Sequence, residues 1–189
     1  MNTEGYIFDP TSRSFNIGDI TAIINDLKKD YAVVIMSEFK FETQEHGEND
    51  GGHEHVFPET PDVRMWAGLI QCADYFLGCD SVGQHIAKAV GTKSTVVIGS
   101  TFPINISYPD DPDVNIIDIG EGKRTYSPIR MSGEDQQDMA NDEAMVMSKE
   151  DLQKVISSCR KGLGKPARAL AGTPSKLAKK KTYTKGFSK

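Results

Sequence analysis

Asp80, Ser81, Gly83 and His85 fall within six residues of one another, in the run Cys79-Asp80-Ser81-Val82-Gly83-Gln84-His85 between an apolar stretch and a helical pattern. A carboxylate, a hydroxyl, a glycine and an imidazole gathered where a helix begins are the materials of an anion site. The first N–H groups of a helix have no intrahelical partner, and the helix dipole favours negative charge beside them. Gly83 has no Cβ and lets a ligand approach the backbone. The chemistry this spacing offers is the holding of a phosphate. A plainer function fits the same residues: Ser81 and Gln84 have capping-box spacing, so the Ser81 hydroxyl can satisfy the Gln84 N–H while Gln84 reaches back, a device typically worth ~1 kcal/mol. Local chemistry leaves both readings open.

The elements around this run must be a strand, a helix and a second strand. Tyr75-Phe76-Leu77 is a short apolar run stopped by Gly78, and the period then turns helical with Ile86, Ala89 and Val90 on one face. Gly91 closes the helix, and Thr95-Val96-Val97-Ile98 resumes extended structure before Gly99. Upstream, Tyr6-Ile7-Phe8 reads as a first strand. Asn16 caps a helix to about Lys29 whose stripe is Ile17, Ile20, Ile23, Ile24 and Leu27. Tyr31 to Met36 reads as a strand covered on both faces, residues from Glu42 to Pro58 as a long acidic loop, and Asp62 to Gln71 as a helix burying Met65, Trp66, Leu69 and Ile70. Val114 to Ile119 is the next strand, followed by a loop from Gly120 to about Met147. Ser148 and Asp151 then open a helix through Arg160 with Leu152, Val155 and Ile156 buried. Strands alternating with helices predict a single Rossmann-like, doubly wound parallel sheet with helices on both faces. In such sheets ligands bind at the carboxyl ends of strands, where Asp80 and Gly99 fall.

The ordered set Asp80, Ser81, Gly83, His85, Ile86, Ala87, Ala89, Gly91, Thr92, then an apolar strand, then Gly99, Ser100, Thr101 and Pro103, resembles the C-terminal domain of the family-nine, heptosyltransferase-like glycosyltransferases of the GT-B architecture. The resemblance covers about Tyr6 to Arg160. It departs where many members carry a proline and Lys93 or Ser94 stands here. It implies that the loop and helix start bind the diphosphate and sugar of a nucleoside-diphosphate-sugar donor. Ser81, Val82 and Gly83 would supply backbone donors, Asp80 would accept from sugar hydroxyls, and Ser100 or Thr101 would line the far side. His85, one turn into its helix, would point to the donor, with quiet packing against the protein as the alternative. Arg13, in the hydroxyl-rich Thr11-Ser12-Arg13-Ser14, matches a basic residue near the family's phosphate loop and can hold a diphosphate through its planar fork; an exposed turn residue is the alternative there.

The implied reaction is sugar transfer to an acceptor hydroxyl. It needs no further cofactor, and its general base comes from the other GT-B domain, so no catalytic residue is assigned here. A chain of 189 residues has room for one such domain. A second glycosyltransferase half or a homo-oligomer is therefore the expected partner. Two rivals remain: a non-catalytic interaction or structural module that kept the fold and works through its basic tail, and one half of a related GT-B epimerase.

Charge is segregated along the chain. Residues 160–189 hold ten Lys or Arg and no acid, whereas the rest holds twelve bases and all 27 acids, for a net charge of −5. From Gly162 onward too few apolar residues remain to build a core, so the domain is expected to span 1–161 and residues 162–189 to form a flexible basic tail. Its sparse aromatics, Tyr183 and Phe187, make no stacking platform for nucleic acid. An acidic partner, or the acidic body itself, suits it at least as well. The acidic loop containing His46, His53 and His55 has metal-ligand composition but no helical pair of ligands, and no metal is assigned. Three cysteines, Cys72, Cys79 and Cys159, have no metal-type spacing and read as reduced, buried thiols. No apolar run approaches the ~20 residues of a membrane span and the N-terminus lacks a secretion-signal plan, so the cytoplasm is the expected compartment.

Overall fold

The computed structural model describes residues 13–36, 55–56, 58, 62–124 and 142–165. The expected strand at Tyr6 to Phe8, most of the acidic loop and the stretch 125–141 lie outside these residues.

Each long helix starts at a residue that local chemistry singles out. Helix α1 (Ile17–Leu27) begins where the Asn16 side chain accepts the Asp19 N–H at 2.8 Å, and it buries Ile23, Ile24 and Leu27. Helix α2 (Val63–Cys72) begins where Asp62 Oδ1 accepts the N–H groups of Arg64 and Met65, both at 2.9 Å. Ile70 is its buried residue, with Trp66 and Ala67 packed nearby, whereas Met65, expected to point inward, is exposed. Helix α3 (Val82–Val90) ends on Gly91 at φ +78°, a left-handed position that favours glycine. Helix α5 (Lys149–Leu163) opens with a complete capping box between Ser148 and Asp151. A one-turn helix, α4 (Pro103–Ile106), starts on proline.

Strands β3 (Phe76–Cys79), β4 (Ser94–Ile98) and β5 (Val114–Asp118) form a parallel sheet with β4 in the centre. Phe76 pairs with Ser94 and Cys79 with Val97, and Ser94 pairs with Val114 and Ile98 with Asp118. Gly78, read from the sequence as the stop of its strand, lies inside β3 and is buried. All five residues of β4 are buried, as a central strand covered on both faces requires. Alternation along β4 divides the core. Val97 packs with Ile23, Leu27, Val155, Ile156 and Cys159 beneath α1 and α5. Val96 and Ile98 pack on the opposite face against Ile106 and Tyr108. Phe76, on that second face, joins Ile70, Ile86 and Ala87 under α2 and α3. The described residues thus make a small α/β domain whose parallel sheet has helices on both faces.

Two further strands pair in parallel, β1 (Val33–Val34) and β2 (His55–Val56). The expected strand from Tyr31 to Met36 is therefore reduced to two paired residues, and β2 arises inside the stretch read as a loop. A ladder is no longer than its shorter partner, and the sequence around β2 has no apolar run to extend it.

Arg160 ties α5 to α1 and to the residues just after it. Its Nη2 and Nε donate to Asp26 Oδ1 at 2.7 and 2.9 Å, and its Nη1 donates to Asp30 Oδ2 at 2.5 Å. Helix α5 then continues past the expected boundary at residue 161. A Cβ on Gly162 would overlap the Tyr75 ring, and the Tyr31 hydroxyl donates to the Gly164 carbonyl at 2.8 Å. The last turn of α5 therefore lies against Tyr31 and Tyr75. Residues 166–189 lie outside the described residues.

Candidate functional site

The carboxyl ends of β3 and β4 carry the loops that the sequence marks, and the structure brings Arg13, Asp80 and Thr101 together there. Thr101 Oγ1 donates to Asp80 Oδ2 at 2.9 Å, and Arg13 Nη1 lies 3.6 Å from the same oxygen. The other carboxylate oxygen accepts from Gln84 Nε2 at 3.3 Å. Asp80 is only 10% exposed at its side chain, against 42% for Arg13. Three segments distant in sequence thus meet on one carboxylate: the entry to α1, the β3–α3 turn and the β4–α4 turn.

This contact set decides against a capping box at α3. Ser81 is the N-cap by backbone conformation, but its hydroxyl caps no N–H of the helix. Gln84, expected to reach back to Ser81, turns its amide to Asp80 instead. Gln84 is 1% exposed, and its Oε1 is buried with no hydrogen-bond partner. The first-turn N–H groups of α3 therefore have no side-chain cap, and Ser81 and Val82 are exposed at the helix mouth.

Gly83 serves differently from the expectation. A Cβ there would lie 2.7 Å from the Phe76 ring, and one on Gly78 would lie 2.6 Å from the same ring. The space freed by Gly83 is filled by Phe76, so the glycine is needed for strand–helix packing and not for the approach of a ligand from that side. Its backbone N–H remains part of the α3 start.

His85 stands one turn into α3 and is exposed, and its Nδ1 is 2.8 Å from the Tyr108 hydroxyl. Its ring meets Tyr108 edge-on, centroids 5.7 Å apart, while Lys88 lies over the same tyrosine and pairs with Asp111. The structure therefore joins His85 to the segment after α4 and not to the Asp80 cluster. Ser100 is buried beside Thr101. Cys79, the last residue of β3, has its thiol pushed up to about 11 by burial, with the neighbouring Asp80 charge adding to the effect. It is protonated near neutral pH.

Sequence reasoning missed the third strand end. Arg124 pairs with both carboxylate oxygens of Asp118, the last residue of β5, and donates to the Gly99 carbonyl at 2.8 Å. Its guanidinium stacks 4.6 Å from the centre of the Phe102 ring. Beside it opens a groove of about 410 Å³ walled by Phe102, Pro103, Ile104 and Pro109 with Glu121 at its rim. The signal available was the position of Asp118 at a strand's carboxyl end, two residues before a glycine.

Among the described residues no group of His, Cys, Asp and Glu is placed to hold a metal. His46 and His53 lie outside those residues. No described helix is long and apolar enough to cross a membrane. The cysteines are free, with Cys72 exposed and not buried as the sequence implied, because α2 turns that position to solvent.

No family model matches the chain, and comparisons with curated proteins and with solved structures return no match.

Proposed function

We propose that this domain binds a nucleoside-diphosphate sugar at the carboxyl edge of its sheet, as the donor-binding domain of a heptosyltransferase-like glycosyltransferase with a Rossmann-like, doubly wound architecture. The observation that carries this reading is the start of α3. Its first-turn N–H groups have no side-chain cap, and Arg13, Asp80 and Thr101 converge beside them from three separate segments. A diphosphate placed there gains the helix dipole, the backbone donors of Val82 and Gly83 and the positive charge of Arg13. The same groups stabilise the charge that grows on a departing diphosphate, which is electrostatic catalysis. The acceptor and the general base belong, in this reading, to a second domain or a second copy of the chain.

Isothermal titration of the full chain with ADP, GDP and UDP tests it. Saturable binding by one of them supports the reading, and the absence of binding at millimolar nucleotide with the fold intact overturns it.

The charge segregation favours a second reading, a non-catalytic module that engages an acidic partner through residues 166–189. Salt-sensitive partner binding without any nucleotide affinity would select it.

A further inference from the structure

We infer that the groove beside Arg124 is the docking site of this chain's own basic tail, with Lys181 to Phe187 as the occupant. The inference goes beyond the donor-binding reading and does not rest on it. The groove, about 410 Å³, is walled by Phe102, Pro103, Ile104 and Pro109. Ile104 is 74% exposed and Phe102 36%, so this apolar wall faces solvent. Contiguous apolar surface of this kind marks a place of contact. Its backing is fixed in advance. The Arg124 side chain, 5% exposed, is held by both Asp118 oxygens and by the Gly99 carbonyl, and its guanidinium stacks on the Phe102 ring. A preformed surface is bound without the cost of ordering it.

The rim carries uncompensated negative charge. Asp118 is neutralised by Arg124 and Asp111 by Lys88, but Glu121 and Asp110, the residue after Pro109, are exposed and make no ion pair with any described residue. Lys123, close by, turns its Nζ to the Val146 carbonyl at 3.0 Å. An occupant therefore needs apolar side chains flanked by cations. Lys181-Thr182-Tyr183-Thr184-Lys185-Gly186-Phe187 supplies them in alternation. Successive side chains of an extended segment point to opposite sides, so Lys181, Tyr183, Lys185 and Phe187 share one side. The aromatic rings then meet the apolar wall, and the lysines meet Glu121 and Asp110.

Chain length permits this contact. Helix α5 ends beside the strand starts, where Ser158 bonds with Thr95 and Asn115 and Gly162 meets Tyr75, whereas the groove lies at the strand ends. The chain beyond Lys165 must retrace α5, about 22 Å at ~1.5 Å per residue. Between Lys165 and Tyr183 it can span up to ~60 Å at about 3.3 Å per residue. Tethering adds an effective concentration on the order of millimolar, so a modest contact stays closed. An acidic partner must then displace these lysines from the groove before it binds them.

Limited tryptic digestion of the full chain tests the inference, with cleavage after Lys181 and Lys185 followed by mass spectrometry. Ile104→Glu and Glu121→Lys change the groove and leave the cleaved sequence untouched. Val63→Glu, at a 59% exposed residue of α2 outside the groove, is the control. Melting temperatures equal to wild type establish that each variant folds. Cleavage follows the population of the open form. Ile104→Glu is expected to speed it about tenfold, the size of one partly buried apolar side chain, and Glu121→Lys about threefold, as an exposed ion pair allows. Equal rates in wild type and Ile104→Glu overturn the inference, as does an equal acceleration by Val63→Glu. Protection that grows with protein concentration also overturns it, because the tail then sits on a second copy. If Ile104→Glu fails to fold, Glu121→Lys decides alone, and a rate equal to wild type overturns the inference.

Discussion

Phe76 and Gly83 share one volume: the aromatic ring of the strand occupies the place where a side chain on the helix would begin, and a Cβ on Gly83 would lie 2.7 Å from it. The ring lies over Gly78 of its own strand as well, where a Cβ would stand 2.6 Å from it. Replacing Gly83 therefore acts on stability first. Overpacking of this kind typically costs about 1–3 kcal/mol, and Gly83→Val is expected to lie in that range by urea denaturation. A Gly83→Val protein as stable as wild type would show that Phe76 has room that the packing denies. The companion Phe76→Leu, Gly83→Ala double variant should recover part of the loss, since the ring is the obstacle.

The α5 capping box makes stability depend on acid. Burial raises the pKa of Asp151, but the hydrogen bonds from Ser148 and the nearby Lys154 outweigh it, and the net shift is downward. A carboxylate with a lowered folded-state pKa contributes stability that is present in full above its unfolded value, roughly 3.9, and that is lost as pH falls through the lower folded value. Asp151→Asn should remove this dependence and cost ~0.5–2 kcal/mol near neutral pH. Chemical denaturation of both proteins between pH 2 and pH 7, with those pH limits set roughly by the titration range of carboxylates, gives the comparison. Curves that run parallel to the acid limit would show that the box does not carry the effect.

Thiol reactivity should separate the cysteines. Burial pushes both Cys79 and Cys159 up to about 11, whereas Cys72 lies exposed at the end of α2. Since the thiolate is the reactive form, the native protein should show one fast thiol toward a disulfide reagent at mildly alkaline pH, and denaturation should reveal the other two. Cys72→Ser should abolish the fast phase. A rapid second thiol in the native protein would mean that half-buried Cys79 or buried Cys159 reacts without unfolding.

Two truncations locate the end of the domain. Ending the chain after Lys165 should leave the melting temperature nearly unchanged if the residues beyond it add nothing to the core. Ending it after Lys161 should lower it by several degrees, because that removes the Gly162 contact with Tyr75 and the carbonyl that accepts from Tyr31; 1 kcal/mol is worth roughly 2–8 °C in a domain of this size. Equal melting temperatures for the two would place the boundary at 161 after all.

The helices were legible because their signals are local. Asn16, Asp62, Ser148 and Gly91 are readable within a few residues of the elements they begin or end. The β3–α3–β4 order was legible for the same reason, since apolar runs and glycines mark each change of period. What escaped depends on distance in sequence. No local pattern shows that Asp80 meets Arg13 and Thr101, that His55 and Val56 pair with Val33 and Val34, or that Arg124 closes on Asp118 and Gly99. Gly83 was misjudged because a missing Cβ announces close approach without saying by what, and here the approaching group is Phe76. Ala89 was expected in the buried stripe, yet Ala87 is the buried alanine of α3, packed with Ile70 of α2.

The bridge from Arg160 to Asp26 spans 134 residues of chain. Helix α1 precedes α5 in the chain, so Val155, Ile156 and Cys159, on which its apolar stripe rests, are made well after it. Until α5 has been made, Ile23 and Leu27 lack these partners and face water or other exposed chains. Helix α1 must therefore wait for α5 before the core beneath them closes. Contacts of such wide sequence separation slow folding more than they alter stability, since chain closure is paid before the contact returns anything. A chain halted before Val155 leaves the apolar stripe of α1 without these partners.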